Sequence, residues 1–448
     1  MTTVAAPPGS TRRERWAWYL YDFGNSAYAA VVLLAIYSAY FQGKVVGGAE
    51  GSRLWGLSVA IAMLVVALTS PVLGAIADFS AAKKRLLFVY TAASVVFTAA
   101  LFFARPGSVG IGMAFFILAE IGYRGAQVFY NALLPEIAAP EEMGRVSGYG
   151  WAIGTAGGIL CLILILPLIM FLGDKLADDT LIIRLSLVIT ALFWAVSAAP
   201  IFLWLRERAQ SQPLPPGENY LSLAFKQLGH TIRAAGRFKE FAKFVLAFLI
   251  YNDGVIMALD FAAIIGAVLF GMDQQGLIVF VIVVQITNVA GAYVFGLLVD
   301  RIGGKRSLAL SLLTMIGVVI WLFFNQTQTG YFLIGAVAGF AMAGAQSVSR
   351  TMVAMFSPPS QSAEFYGFFA VAGRTSSFIG PAVYGWVAAD AALWYEAQGQ
   401  GVALAEQSGQ RLAILSISAF LLVGLLLLWF VNEAEARTAV ARSTGDGG

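Results

Sequence analysis

Between two apolar runs the chain reads Gly296-Leu-Leu-Val-Asp300-Arg301-Ile-Gly303-Gly304-Lys305-Arg306, a short basic turn that decides the fold. A glycine at Gly296 would let a neighbouring helix approach closely. Asp300, at the end of the first apolar run, is expected to accept free N–H groups at the amino terminus of a neighbouring helix. The bases would hold the turn on the cytoplasmic side and pair with that aspartate.

A weaker copy of this turn lies in the first half of the chain, as Gly74-Ala-Ile-Ala-Asp78-Phe79-Ser-Ala81-Ala-Lys83-Lys84-Arg85. It keeps the glycine, the aspartate and the closing bases. Phe79 replaces the base and Ala81 replaces the glycine, so the first turn is expected to form a weaker or differently shaped contact.

Other stretches recur in the same order, which predicts a parallel internal repeat. Gly125-Ala126-Gln127 returns as Gly344-Ala345-Gln346, and Tyr21 and Gly24 return as Tyr251 and Gly254. Chance could explain one such pair, but it does not explain several pairs in register.

The two turns resemble the loop signature of the major facilitator superfamily, which is a glycine, three residues, an aspartate, a base, one residue, a glycine and two bases. The resemblance implies a transporter in which this loop acts as a latch: it stabilises one conformation and breaks when the other forms. The expected latch residues are Gly74, Asp78, Gly296, Asp300, Arg301, Gly303 and Arg306.

Composition independently predicts a membrane protein. The chain is 59% hydrophobic and 12% charged, whereas a soluble domain is about a quarter charged. Its apolar runs reach the roughly 18 residues that a helix needs to cross about 30 Å of hydrocarbon, and backbone polar groups in lipid must be satisfied internally. We therefore predict an all-α membrane protein with twelve transmembrane helices in two parallel-repeat six-helix bundles, the major facilitator fold.

Charge patterning predicts the topology. Basic clusters alternate with poorly charged loops along the spans, so the positive-inside rule places both termini in the cytoplasm. The predicted domains are an N-terminal bundle, residues 1–206, a cytoplasmic linker with a basic amphipathic segment, residues 207–239, and a C-terminal bundle, residues 240–448. The tyrosines and tryptophans near predicted span ends are expected to be interface anchors: Trp16, Trp18, Tyr40, Trp55, Trp194 and Trp429.

A closer resemblance begins in the first span, which reads Trp18-Tyr-Leu-Tyr21-Asp22-Phe23-Gly24-Asn25-Ser26-Ala27-Tyr28. This is similar to the hallmark of the vacuole-effluxer-like branch of the superfamily, named for a yeast autophagy-related amino-acid exporter. Further matching stretches are Tyr130-Asn131-Ala-Leu-Leu-Pro135-Glu136, Ser147-Gly148-Tyr-Gly150-Trp151, Gly344-Ala-Gln346-Ser-Val-Ser349-Arg350 and Phe365-Tyr366-Gly367. The resemblance implies efflux of small solutes by a self-sufficient monomer, and we expect a bacterial inner membrane as its location.

Ionisable residues inside a bilayer are costly and usually face the interior of the bundle. Glu120 and Arg124 lie four residues apart on the predicted fourth helix, so they share a face and are expected to pair. The resemblance implies that the first, fourth, seventh and tenth helices line a central cavity. The candidate substrate or proton-coupling residues are therefore Asp22, Asn25, Arg124, Asn131, Asp253 and Arg350, with Glu120, Asp260 and Arg374 as weaker candidates.

These residues suggest proton-coupled efflux of amino acids or similar small metabolites by alternating access. An aspartate would take up protons during the cycle, since burial raises a carboxyl pKa and a nearby arginine lowers it. An arginine would bind the carboxylate of an amino acid and an aspartate its ammonium group. The alternative is that the same residues form static ion pairs that fix the helix register.

Other classes of function receive less support. The one histidine cannot supply a zinc hydrolase site, and neither a nucleophile elbow nor a phosphate-binding glycine loop occurs, so we predict no enzyme and no cofactor or metal. The net charge of +3 gives no indication of nucleic acid. The expected partners are a small-molecule substrate, protons and the lipid bilayer. Export of sugars, drugs or lysolipids stays open, as does a scaffold or receptor without transport.

Overall fold

The computed structural model describes residues 11–79, 82–138, 143–172, 178–208, 238–357, 372–373 and 377–445, together with residues 219, 222, 226, 229, 365 and 369. The long helices, numbered in chain order, are α1 Arg12–Tyr28, α2 Gly48–Phe79, α3 Lys83–Ala100, α4 Val109–Ala132, α5 Met143–Leu172, α6 Leu181–Trp204, α7 Lys239–Asp260, α8 Gln274–Ile302, α9 Gly304–Phe324, α10 Gln328–Phe356, α11 Ile379–Ala397, α12 Val402–Trp429 and α13 Glu433–Gly445. Shorter helical segments are Ala29–Ala35, Tyr37–Tyr40, Phe41–Val46, Leu101–Phe103, Leu134–Ile137 and Ala262–Phe270.

Eleven helical segments of the described chain are long and apolar enough to cross a membrane. The helix α11 lies between the tenth and eleventh of these segments in sequence and makes the series of twelve. The predicted all-α fold of a multi-pass integral membrane protein is confirmed. The described residues contain no strand.

The chain forms two compact units. Unit 1 comprises residues 1–40 and 68–225, and unit 2 comprises residues 41–67 and 226–448. The boundary after Tyr40 falls where the short helix Tyr37–Tyr40 gives way to the π-helical segment Phe41–Val46. The end of the first span and most of α2 therefore pack with the second half of the chain. The predicted domains, residues 1–206, 207–239 and 240–448, stay a prediction.

Helix packing repeats between the units, as the sequence predicts. In unit 1, α1 packs against α5 and α6, and α3 packs against α4 and α6. In unit 2, α7 packs against α11 and α12, and α9 packs against α10 and α12. These four contacts join equivalent helices in the two halves, as a parallel repeat requires.

One side-chain hydrogen bond also repeats. The Ser94 hydroxyl on α3 donates to the carbonyl of Ala119 on α4, at 2.8 Å. The Ser311 hydroxyl on α9 donates to the carbonyl of Ala341 on α10, at 2.6 Å. Both serines are fully buried, and each small side chain lets two helices approach while satisfying its own polar group.

Candidate transport site

In unit 1, a polar stripe runs along α4. Glu120, Arg124, Gln127 and Asn131 follow at spacings of four, three and four residues, so they share one helix face. The Nε of Arg124 lies 2.7 Å from Oε1 of Glu120, so the predicted pairing is confirmed. The Glu120 side chain is 1% exposed and that of Arg124 27%, whereas Asn131 is exposed. The stripe therefore passes from the interior of the unit to its surface.

Aromatic rings surround the buried end of this stripe. Tyr28 of α1 stacks on Tyr123 of α4 with ring centroids 4.6 Å apart. Trp194 of α6 lies 5.8 Å from the Tyr28 ring and 6.0 Å from the Tyr123 ring. The Arg124 guanidinium lies 5.2 Å from the Tyr123 centroid. This aromatic cluster has no signal in the sequence, because its members come from three helices and share no sequence spacing.

Asp22 and Asn25 lie on α1 beside the same region. The Asn25 amide donates to Oδ1 of Asp22 at 3.4 Å, and Asn25 is 2% exposed while Asp22 is half-buried. The Asp22 carboxylate packs over Gly154 of α5, since a Cβ on that glycine would lie 2.5 Å from Oδ2 of Asp22. The absence of a side chain at Gly154 thus makes room for a carboxylate between α1 and α5.

In unit 2, a break precedes α11. Gly373 is helical, Ser377 and Phe378 form a turn, and α11 begins at Ile379. The sequence Gly380-Pro381 explains the restart, because proline has no N–H to donate and is tolerated in the first turn of a helix. A helix that restarts inside a membrane leaves carbonyls before the break and N–H groups after it that need other partners.

Two consecutive residues of α7 supply partners on both sides of this break. The Asn252 amide donates to the carbonyl of Gly373 at 3.5 Å, and the Ser377 hydroxyl donates to the same carbonyl at 2.6 Å. The Asp253 carboxylate accepts the backbone N–H of Gly380 at the start of α11. Asp253 is 1% exposed, and its Oδ1 has no hydrogen-bond partner.

Two more predicted residues of unit 2, Asp260 and Arg350, lie on α7 and α10. Asp260, at the end of α7, is 4% exposed, and its backbone carbonyl accepts the indole N–H of Trp55 at 2.9 Å. Arg350 on α10 is exposed, so it and the buried Asp253 lie in different environments. Arg374 lies outside the described residues.

The second latch turn is well described. Gly303 has φ +87°, a conformation that favours glycine, and caps α9. Asp300, Arg301 and Arg306 are exposed. A Cβ on Gly296 would meet nothing within 4 Å, so the predicted close approach of a helix there is wrong in this structure.

Glu433, rather than the expected Asp300, caps the adjoining helix. Its carboxylate accepts the N–H groups of Gly304 and Lys305 at 3.4 and 2.9 Å, and the Lys305 ammonium donates to the carbonyl of Val431 at 2.7 Å. Glu433 begins α13, just beyond the span α12, so a residue distant in sequence caps the start of α9.

Unit 1 repeats this arrangement. Glu207 accepts the N–H groups of Lys83 and Lys84 at the start of α3, at 2.8 and 3.1 Å. The Lys84 ammonium donates to the carbonyl of Leu205 at 2.7 Å. Gly74 and Asp78 belong to α2, but their side chains lie outside the described part of the chain. The switching role of both turns stays a prediction.

Twelve helices with a parallel repeat and charged residues inside the spans define a transporter of the major facilitator type. Solved structures with this fold agree. The chain matches a bacterial homologue of the human lysosomal transporter Spinster, in an inward-facing and unoccupied conformation, with a TM-score of 0.72 and 16% identity over 96% of this chain and 99% of that one. It matches a D-xylose–proton symporter with a TM-score of 0.68 and 14% identity over 95% and 98% of the two chains.

The family follows from residues 54–441, which match the model of the family described as vacuole effluxer Atg22 like. The chain belongs to this family, and its fold and family are those of membrane transporters rather than enzymes. An uncharacterized MFS-type transporter, YxiO, of Bacillus subtilis (strain 168) is 26% identical over 443 residues, which cover 97% of this chain and 98% of that one. Autophagy-related protein 22-1 of Penicillium rubens is 26% identical over 263 residues, 54% of this chain and 44% of that protein.

Proposed function

We propose that this transporter exports amino acids or similar small metabolites by alternating access, with protons as the coupling ion. The observation that carries the coupling is Asp253, a carboxylate buried to 1% exposure inside a membrane-spanning helix, with one oxygen lacking a hydrogen-bond partner. A buried ionisable group in a membrane span is costly and is a functional-site hypothesis by default. Membership of a family described as vacuole effluxer Atg22 like supports the direction, and the resemblance of the first span to the branch named for an amino-acid exporter supports the substrate class.

The position of Asp253 connects proton binding to helix movement. Its charge is stabilised by the Gly380 N–H and by the amino-terminal end of the α11 dipole. Burial between α7 and α11 opposes the same charge. A displacement of α11 that removes the Gly380 N–H changes this balance, so proton occupancy and helix position depend on one another. Asp22 and Arg350 remain further candidates for this cycle.

The test is flux in proteoliposomes with an imposed pH gradient. Asp253→Asn should abolish gradient-driven accumulation and retain substrate exchange at equal pH, because the amide keeps the shape of the side chain but cannot titrate. Asp179→Asn, a change of an exposed residue, is the matched control and should transport as the wild type does. Undiminished and still proton-dependent transport by Asp253→Asn would contradict the proposal.

The substrate class is tested by thermal unfolding of the purified protein with amino acids, dipeptides, sugars, nucleosides and lysolipids. A ligand at 100 times its Kd adds about 2.7 kcal/mol to the folded state. Stabilisation by amino acids supports the proposal. Stabilisation by sugars or nucleosides alone would favour export of those solutes instead. Two solved structures with a similar fold are a nucleoside transporter and a D-xylose–proton symporter. Binding without flux favours a receptor.

The proposal includes a monomer in a bacterial inner membrane with both termini in the cytoplasm. This orientation rests on the alternation of basic loops along the spans. The orientation is tested with a cysteine introduced near either terminus. A membrane-impermeant thiol reagent should label this cysteine in inverted vesicles and not in intact cells.

A further inference from the structure

Two buried carboxylates hold together the end of unit 1 where α1 and α3 begin and α6 ends. Glu14 of α1 accepts the backbone N–H of Arg206 at 3.1 Å and the guanidinium of Arg208 at 2.8 Å. Glu136, in the short helix after α4, accepts the Lys83 ammonium at 2.8 Å and the backbone N–H of Arg208 at 2.6 Å. Each carboxylate is therefore already paired with a base of the same unit.

Four further arginines at this end form what we call the arginine patch: Arg12, Arg13, Arg85 and Arg206. All four are exposed. Within the described part of the chain, none of their guanidinium groups pairs with a carboxylate. The guanidinium of Arg13 instead lies 4.3 Å from the ring centroid of Trp204 on α6. The patch therefore carries positive charge that the described residues do not neutralise.

Contacts between three parts of the chain bring the arginine patch together. The Lys84 ammonium donates to the carbonyl of Leu205 at 2.7 Å. The residue that follows each of these two is an arginine, Arg85 and Arg206. The Arg206 N–H donates to the first turn of α1, which begins at Arg12. The starts of α1 and α3 and the segment after α6 therefore meet, and each contributes an arginine to one surface.

Unit 2 has the same framework without one of these arginines. Asn432, just beyond α12, donates its backbone N–H to Glu240 in the first turn of α7. The next residue, Glu433, caps α9, as Glu207 caps α3. Asn432 therefore occupies the place of Arg206. Because an uncharged side chain is sufficient in this place, the framework does not account for the Arg206 guanidinium.

Exposed apolar side chains of two spans adjoin the arginine patch. Phe88 is exposed and lies three residues after Arg85 on α3, so the two share a helix face. Its ring lies 5.3 Å from that of Phe202, which precedes the exposed Leu203 in the last turn of α6. Tryptophans such as Trp204 are frequent at the level of the lipid head groups. The patch therefore has the surroundings of a place where phosphates and acyl chains meet.

We propose that the arginine patch binds the phosphate of an anionic phospholipid. Guanidinium groups bind phosphate through paired N–H donors and also stack on aromatic rings, as Arg13 does on Trp204. Basic pockets between membrane helices bind the head groups of anionic lipids. The acyl chains of the bound lipid contact the exposed apolar side chains of α3 and α6. This inference goes beyond the proposed function, because the phospholipid is a bound ligand and not the transported solute.

The test is thermal unfolding of the purified full-length protein in detergent, titrated with palmitoyl-oleoyl phosphatidylglycerol. The dependence of the unfolding temperature on lipid concentration gives an apparent affinity. The wild type should bind this lipid more tightly than phosphatidylcholine with the same acyl chains. The difference should shrink as salt is added, because salt screens exposed charges.

Arg206→Asn copies the residue of unit 2 and is the first variant. It should weaken binding of phosphatidylglycerol roughly fivefold, which is the contribution of one arginine near anionic lipid, and leave binding of phosphatidylcholine unchanged. Its unfolding temperature without added lipid should equal that of the wild type, because Asn432 shows that the framework accepts an amide there. Arg12→Gln, at the exposed start of α1, should have the same effect on lipid binding and serves as the test if Arg206→Asn does not fold.

Arg105→Gln is the matched control, since Arg105 is an exposed arginine of the same unit beyond the other end of α3. It should bind phosphatidylglycerol as the wild type does. Equal affinity of the wild type for the two lipids would overturn the proposal, and so would wild-type affinity for phosphatidylglycerol in both Arg206→Asn and Arg12→Gln. Equal stabilisation by inorganic phosphate would assign the patch to a free anion and overturn the lipid as its ligand. Each of these outcomes leaves the proposed function standing.

Discussion

Replacing Gly56 by alanine should separate α2 from α11 within unit 2. A Cβ on Gly56 would lie 2.3 Å from the carbonyl oxygen of Pro381 and 3.2 Å from Cα of Gly385. Both are backbone atoms of a helix, so they cannot rotate away as the end of a flexible side chain can. The contact is reinforced beside this glycine by an ion pair between Arg53 and Asp390.

The size of the effect follows from the cost of overpacking. An extra methyl group in a well-packed contact costs about 1–3 kcal/mol. Alanine also favours a helix over glycine by about 1 kcal/mol, but α2 is helical whether or not it touches α11, so this gain cancels between the two arrangements. The population ratio should therefore shift toward the separated arrangement by roughly 5- to 150-fold.

The assay is the labelling rate of a single buried cysteine. Cys161 is the one cysteine of the chain, so Cys161→Ser provides a background without thiols. Ser52, which is 0% exposed and lies one turn before Gly56, serves as the reporter position as Ser52→Cys. When opening is fast relative to labelling, the rate is proportional to the separated fraction. Gly110→Ala is the control, because a Cβ there meets nothing within 4 Å.

The expected result is a rise in labelling rate for Gly56→Ala in proportion to the population shift, with Gly110→Ala unchanged. An unchanged rate for Gly56→Ala, in a protein that unfolds at the wild-type temperature, would refute the reasoning. It would mean that α2 and α11 adjust by a few tenths of an ångström without separating, or that the contact never opens.

Two stability predictions concern residues near helix ends. Glu433→Ala should lower the free energy of unfolding by about 1 kcal/mol, because the Lys305 N–H at the start of α9 loses its acceptor. Thermal unfolding measures this loss, and Glu435→Ala, at an exposed position, is the control. An equal effect of both changes would contradict the prediction. Hydrogen bonds from the side chain and backbone of Thr180 hold the pKa of Asp178, which lies between α5 and α6, below its ordinary value of 3.8. Its stabilisation is therefore present above that value and lost as the pH falls. Asp178→Asn should thus show a smaller fall in unfolding temperature than the wild type between about pH 6 and pH 3, and identical pH profiles would exclude this role.

The sequence predicted the fold because its signals are local and repeated. Apolar runs give the spans, the paired turns give the superfamily, and the spacing of Glu120 and Arg124 gives their ion pair, since residues four apart on a helix must be neighbours. The break before α11 had a signal as well, in Gly380-Pro381, but its partners Asn252 and Asp253 lie on another helix. No spacing rule connects residues that are more than 120 positions apart.

The aromatic anchors show where sequence reasoning failed. Trp16 and Trp429 are exposed, as an interface position requires, but Trp18, Tyr40, Trp55 and Trp194 are at most 2% exposed. The exposed and the buried aromatic residues could not be distinguished by their position near a span end. A tryptophan that donates to a carbonyl inside the bundle has the same sequence surroundings as one at the lipid headgroups. The Trp18 indole donates to the carbonyl of Tyr130 at 3.1 Å, and this internal partner is what allows its burial.

The internal repeat also explains why the two units can carry different chemistry on one framework. Asp22 of α1 packs over Gly154 of α5, and Asn252 of α7 donates to Gly373 in the helical stretch before α11. The repeat that aligns Tyr21 with Tyr251 places Asp22 and Asn252 in equivalent positions, so one framework holds a carboxylate in unit 1 and an amide in unit 2. The carboxylate of unit 2 lies one residue further along, in Asp253, where the break before α11 supplies an N–H that the continuous helix α5 does not. A carboxylate placed one residue further along a helix lies on a different face, so a different group stabilises its charge. The duplicated fold therefore fixes where polar residues can be placed, and the local break decides which of them can bear a buried charge.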